Sequence, residues 1–205
     1  MRQIEDRWAA LALATHLDAA LVWDVIARYS EPHRHYHVLS HILKMLTAFD
    51  EHRERCDHPL EVEYAIFMHD IIYDPRASDN EARSADLAAE WIGRSHSTLD
   101  AALVHRLIMA TTHRQISTMA DARLLVDIDT LVFSGSDDEY DEYSRAIRQE
   151  YSWVPSEIYV VERIRVLNTF LSRDQLFTSN VFGPQTEAVA VANILREIKS
   201  LESNR

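Results

Sequence analysis

An all-α fold is what the composition and periodicity of this chain predict. Among 205 residues there are only 3 Gly and 5 Pro, while Ala, Leu, Glu and Arg abound. Strand hairpins draw on turn glycines, and the residues that dominate here are strong helix formers. Apolar side chains recur at three- and four-residue steps along most of the chain, the period of a helix face turned toward a core. No internal repeat, low-complexity tract or linker interrupts the pattern, and the length suffices to bury a substantial core, so one domain over residues 1–205 is expected.

The elements follow in order. Trp8, Leu11, Leu17, Leu21, Val25 and Ile26 mark a first amphipathic segment of one or two helices. Ser30-Glu31-Pro32 then punctuates, and the proline suits the first turn of a new helix, where its missing N–H costs nothing. That helix carries Val38, Ile42, Met45, Leu46 and Phe49, and another runs from Pro59 through Val62, Ile66 and Phe67. Asp74-Pro75-Arg76-Ala77 breaks the pattern, after which Ser78 and Glu81 read as a capping box opening a helix through Leu87 and Trp91. Helices are expected over Leu99 to Thr112 and Asp121 to Phe133, with Gly135 as a stop and Ser136 with Glu139 as a second capping box. Tyr140 to Trp153, Ile158 to Leu171 and Glu187 to Leu201 complete the set, with Gly183-Pro184 separating the last two.

Charge and cysteine content restrict the partners. A formal charge of −12 repels a phosphate backbone and an anionic membrane, so binding to a nucleic-acid polymer or to a membrane is not expected. A small phosphorylated substrate remains compatible, because a metal and a few arginines can reverse the local field. Cys56 is the single cysteine, which rules out an intrachain disulfide and predicts a cytoplasmic protein. The polar start, Met1 to Arg7, lacks the character of a signal peptide, and the apolar stretch Trp8 to Ala14 is too short to span a bilayer. Homodimerisation through an apolar helix face is compatible with a bundle of this size, although no stripe in the sequence marks one.

The chemistry-bearing feature is the adjacent pair His69-Asp70 at the end of the run Glu63 to Met68. Neighbours on a helix point about 100° apart, which still lets an imidazole and a carboxylate reach one ion beside the helix end. His37 and His41 stand four apart, on one face if both are helical. Asp127 and Asp129 interrupt the apolar run Leu124 to Leu131, and burying carboxylates costs several kcal/mol unless cations or hydrogen bonds compensate. Two imidazoles and two carboxylates form a mixed N/O set that neutralises a dication and leaves room for water, suited to Mn²⁺, Fe²⁺, Co²⁺, Ni²⁺, Zn²⁺ or Mg²⁺.

The order His41, His69-Asp70, Asp129 resembles the HD-domain superfamily of metal-dependent phosphohydrolases, whose signature is His…His-Asp…Asp on a helical bundle. The strings Arg34 to His41, Phe67 to Pro75, Asn80 to Ala85, Val126 to Asp129 and Tyr143 to Tyr151 are similar to one bacterial branch of it, so the resemblance spans most of the chain. It implies a single-domain HD-type bundle, with a metal-site core over about residues 30–135 and C-terminal helices over 138–202 packed on it. It also implies one divalent metal ion held by His41, His69, Asp70 and Asp129, with His37 an alternative to His41 and Asp127 an alternative to Asp129. The implied activity is hydrolysis of a phosphomonoester such as a nucleotide by metal-activated water. Asp74, one turn beyond Asp70 if the helix persists, is the candidate general acid or base beside Asp70, and Glu81 a candidate for orienting a ligand imidazole. Arg34 and Arg148 are candidate phosphate clamps, and His113 a candidate phosphate donor or ligand to a second metal. Two rivals share the resemblance: an HD-type di-iron oxygenase recruiting further histidines such as His37, His96 or His113, and a non-catalytic module that binds a nucleotide or a partner.

Overall fold

Ten α-helices and no strand make up the computed structural model among its described residues, 1–203. In order they are α1 (Arg2–Thr15), α2 (Val22–Arg28), α3 (Leu39–His52), α4 (Pro59–Met68), α5 (Asn80–Ser95), α6 (Ala101–Ala110), α7 (Ala120–Asp129), α8 (Asp137–Glu150), α9 (Ser156–Leu171) and α10 (Pro184–Ser203). The fold is therefore all-α, as the scarcity of glycine and the helical period predict. The described chain contains no helix long and apolar enough to cross a membrane. It divides into two compact units, Met1–Ile128 and the remainder from Asp129.

The first unit is organised around α4. Every side chain from Val62 to Met68 is buried, and α1, α3, α5 and α6 all pack against this helix. A helix apolar on all sides belongs inside a bundle, and Pro59 opens it at the position where proline is tolerated. Trp8 of α1 makes edge-on contacts with Phe67 at 5.2 Å and with Trp91 at 6.3 Å. The one charge on the buried stretch, Glu63, is held by Arg7 at 2.9 Å and by Arg53, so its desolvation is compensated by two guanidinium groups.

Three local expectations are corrected. Pro32 does not open a helix: residues 31–38 form an irregular loop and α3 begins at Leu39, so His37 lies outside the helix that carries His41. Ser78 does not cap α5, which begins at Asn80 with no side-chain cap bond. The helix from Asp121 does not continue evenly to Phe133; α7 ends at Asp129 and the chain tightens into a 3₁₀ turn over Thr130–Ser134. The second capping box does form, with Ser136 and Glu139 bonded reciprocally at the start of α8.

In the second unit the 3₁₀ turn packs with α8 and α10, and α10 with α9. Phe133 meets Phe170 at 5.0 Å and Tyr143 at 5.8 Å, and the Asn193 amide donates to the carbonyls of Phe133 and Gly135, both at 2.9 Å. A buried polar cluster sits beside this aromatic core. Glu197 accepts both arms of the Arg163 guanidinium at 2.8 and 3.0 Å, the Tyr140 hydroxyl at 2.7 Å and the Ser144 hydroxyl at 2.9 Å.

Two stability predictions follow from these cores. Phe67→Ala is expected to cost about 3–5 kcal/mol, read by urea unfolding, because it opens a cavity under Trp8. For Glu197, burial raises the carboxyl, but the hydrogen bond and charge of Arg163 outweigh it and hold the group below its ordinary 4.5. A carboxyl depressed in the folded state stabilises the fold above its unfolded value and ceases to do so as pH falls through the folded one. Acid unfolding below about pH 4.5 should therefore be blunted in Glu197→Gln, which should also lose about 3–5 kcal/mol at neutral pH by stranding the buried Arg163 charge.

Candidate metal centre

Helix α4 ends inside the protein, so its terminal carbonyls need partners other than bulk water. The chain supplies them one by one. Ala65 O accepts the His69 backbone N–H at 2.9 Å, and Ile66 O accepts from His69 Nδ1 at 3.0 Å. Phe67 O accepts the Tyr29 hydroxyl at 2.9 Å, and Met68 O accepts the Ile71 N–H at 3.2 Å. A carbonyl only accepts, so its bond to Nδ1 places a hydrogen there and, in the neutral ring, leaves the lone pair of His69 on Nε2. The demand of a buried helix end thereby selects the tautomer that a metal ligand needs.

Three donors converge. One ligating atom each of His41, His69 and Asp129 lies within 4.8 Å of the other two. His41 is 4% exposed and His69 1%, while Asp129 is half-buried. His41 comes from α3, and His69 caps the C-terminus of α4. Asp129 ends α7, whose preceding residues all belong to the first unit. Beside the group, Asp70 Oδ2 lies 3.0 Å from His69 Nε2. Donors bound at about 2.1 Å to one ion stand about 3 Å apart when cis and about 4.2 Å when trans. The N/O donor set and the orientation of the His69 ring fit a borderline divalent cation.

Position separates the two pairs that the sequence left open. Residues two apart on a helix point about 200° apart, so only one of Asp127 and Asp129 can join the histidines. Asp129 does, while Asp127 is fully buried outside the group. His41 is the group's member from α3, and His37, on the preceding loop, turns Nε2 toward Asp70 Oδ2 at 3.8 Å. Aromatic rings fix both imidazoles: Tyr36 at 4.7 Å from His41, and Tyr73 at 4.2 Å from His37.

The other candidates lie in different surroundings. Because α4 stops at Met68, Asp74 is not one helical turn beyond Asp70; it is exposed, and its carboxylate accepts the Arg76 backbone N–H at 2.9 Å in a local turn. Glu81 is half-buried in the first turn of α5. Arg34 is buried with its N–H groups on backbone carbonyls. Arg148, in the second unit, donates to Tyr151 O at 2.6 Å and Val154 O at 3.2 Å and lies over the Tyr159 ring, closing the turn between α8 and α9. His113 follows α6 in left-handed backbone at φ 56°, and His96 is an exposed left-handed cap of α5. Cys56 is half-buried and its thiol is pushed up to about 12, by burial first and Asp121 second, which disfavours thiolate chemistry.

Sequence reasoning missed the side chains that hold the loop after the dyad. Asn80 donates to Asp74 O at 2.9 Å and accepts its N–H at 3.1 Å, and Ser84 binds both backbone groups of Ile72. Their place in the string Asn80 to Ala85 was the available signal, but Glu81 looked more chemical than either. Compared with models of protein families, with curated proteins and with solved structures, the chain matches none.

Metal titration separates the two aspartates. Asp129→Asn should weaken Mn²⁺ or Co²⁺ binding at least about 10-fold, whereas Asp127→Asn should retain it and lower the unfolding midpoint instead; calorimetric titration and urea unfolding on the same preparations read both effects.

Proposed function

We propose that this chain is a metal-dependent phosphohydrolase of the HD type, acting on a phosphomonoester such as a nucleotide. The observation that carries the reading is the convergence of His41, His69 and Asp129 from α3, α4 and α7, in the chain order of the His…His-Asp…Asp signature. Asp70, with Oδ2 at 3.0 Å from His69 Nε2, is proposed as the fourth ligand. What a divalent cation supplies at such a site is Lewis acidity toward a phosphoryl oxygen and toward water near neutral pH.

The residues of the chain have separate tasks. His69, held through Nδ1 by Ile66 O, presents Nε2 without reorganisation, and its burial keeps bulk water from that side. Asp70 adds negative charge to the donor set and stands between His69 and His37. His37 is the imidazole best placed to donate to a phosphoryl oxygen or a leaving group, because it borders Asp70 while remaining partly open to solvent. Arg34 and Arg148, whose N–H groups are spent on backbone carbonyls, are poor candidates for that contact.

Protein stripped of metal and phosphate, then supplied with Mn²⁺, Co²⁺ or Ni²⁺, should release phosphate from a panel of nucleoside monophosphates and simple phosphomonoesters. His69→Ala should lower kcat at least about 100-fold, the scale expected when a metal ligand is removed. Inactivity of the wild type with every metal across the panel overturns the proposal.

A further inference from the structure

We infer that Arg34 is a positioning residue for the metal centre, clamping the loop before α3 to the chain segment that carries Asp70. The inference rests on the metal reading proposed above and adds to it a residue that touches neither substrate nor ion.

The guanidinium is buried and its N–H groups are distributed over two segments far apart in sequence. Nη1 donates to Asp70 O at 2.7 Å and to His37 O at 3.3 Å, and Nη2 donates to Ile71 O at 3.1 Å. Nε donates to Glu31 Oε2 at 3.0 Å, which fixes the plane of the fork. The Tyr29 and Tyr73 rings flank it, with centroids 5.0 and 5.4 Å from Cζ. Tyr29 is also the residue whose hydroxyl satisfies Phe67 O, and Tyr73 packs on the His37 imidazole. One side chain thus sets the backbone of both His37 and Asp70, whose side chains meet at 3.8 Å.

The chemistry calls for arginine. Residues 31–38 and 69–79 contain no α-helix, so ordinary helical hydrogen bonding does not align them. A planar fork can bind carbonyls on two strands of chain at once and stack between rings, whereas a lysine ammonium is a single point charge without that plane. A cation just beyond the C-terminus of α4 also matches the helix dipole. Loss of the clamp would let the Asp70 carboxylate move relative to His69 Nε2, and sub-ångström placement governs a coordination shell.

The experiment uses the full chain and Mn²⁺ alone as probe, titrated calorimetrically well below the unfolding temperature. Arg34→Lys should bind Mn²⁺ at least about 10-fold more weakly than wild type, the size of effect seen when groups supporting ligands are altered. Low-millimolar guanidinium ion should restore part of the affinity in Arg34→Gly and leave the wild type unchanged. A purely structural role would lower the melting temperature of the metal-free protein yet leave Mn²⁺ affinity as it was, and that result overturns the inference. If Arg34→Lys fails to fold, Glu31→Gln serves, since Glu31 is partly exposed and anchors only Nε. An affinity reduced about threefold supports the clamp, and wild-type affinity overturns it. Wild-type protein that binds no Mn²⁺ sinks the metal reading together with this inference, whereas tight wild-type binding matched by the variants sinks this inference alone.

Discussion

The structure of the first unit turns on one constraint: α4 is buried on every side from Val62 to Met68, so its C-terminal end is buried and its carbonyls have to be bonded internally. Meeting that demand draws in Tyr29 from α2's end, the Nδ1 of His69 and the backbone of Ile71, and it stops the helix at Met68. The same bonds orient the His69 ring, choose its tautomer and turn Asp70 out of the helix beside it. The fold and the geometry of the candidate metal centre share one set of contacts. Replacing a group here disturbs core packing and ligand geometry together, which is why the two have to be measured separately.

A buried carboxylate by itself does not identify a metal site in this protein. Glu63 is neutralised by Arg7 and Arg53, and Glu197 by Arg163 with two hydroxyl groups. Asp121 accepts the backbone N–H groups of Asp57 and His58 at 2.9 and 3.0 Å as well as the His58 ring, tying the segment before α4 to the start of α7. What distinguishes Asp129 is the company of two imidazoles within 4.8 Å, a property of three helices and not of one segment.

The arginines teach a related lesson about residue type. Guanidinium groups invite assignment to an anionic substrate, yet Arg34 and Arg148 both close loops by donating to carbonyls. Loops entering a buried site carry unsatisfied backbone acceptors, and a planar donor with five N–H groups satisfies several at once. Asn80 and Ser84 do the same work with smaller side chains on the loop after the dyad.

The all-α class, the order of the helices and the run that becomes α4 were legible in the sequence, because hydrophobic period and glycine content are local properties. So was the set from which the candidate ligands are drawn, since imidazoles and carboxylates within apolar stretches stand out along the chain. Only the tertiary structure brought His41 and not His37, and Asp129 and not Asp127, into one group, for which of two residues two or four apart joins a cluster depends on where a helix begins and how it is rotated against its neighbours. It likewise moved Asp74 from the helix face to an exposed turn, because the end of α4 is bonded in part by the Tyr29 hydroxyl, which lies about forty residues away in the chain.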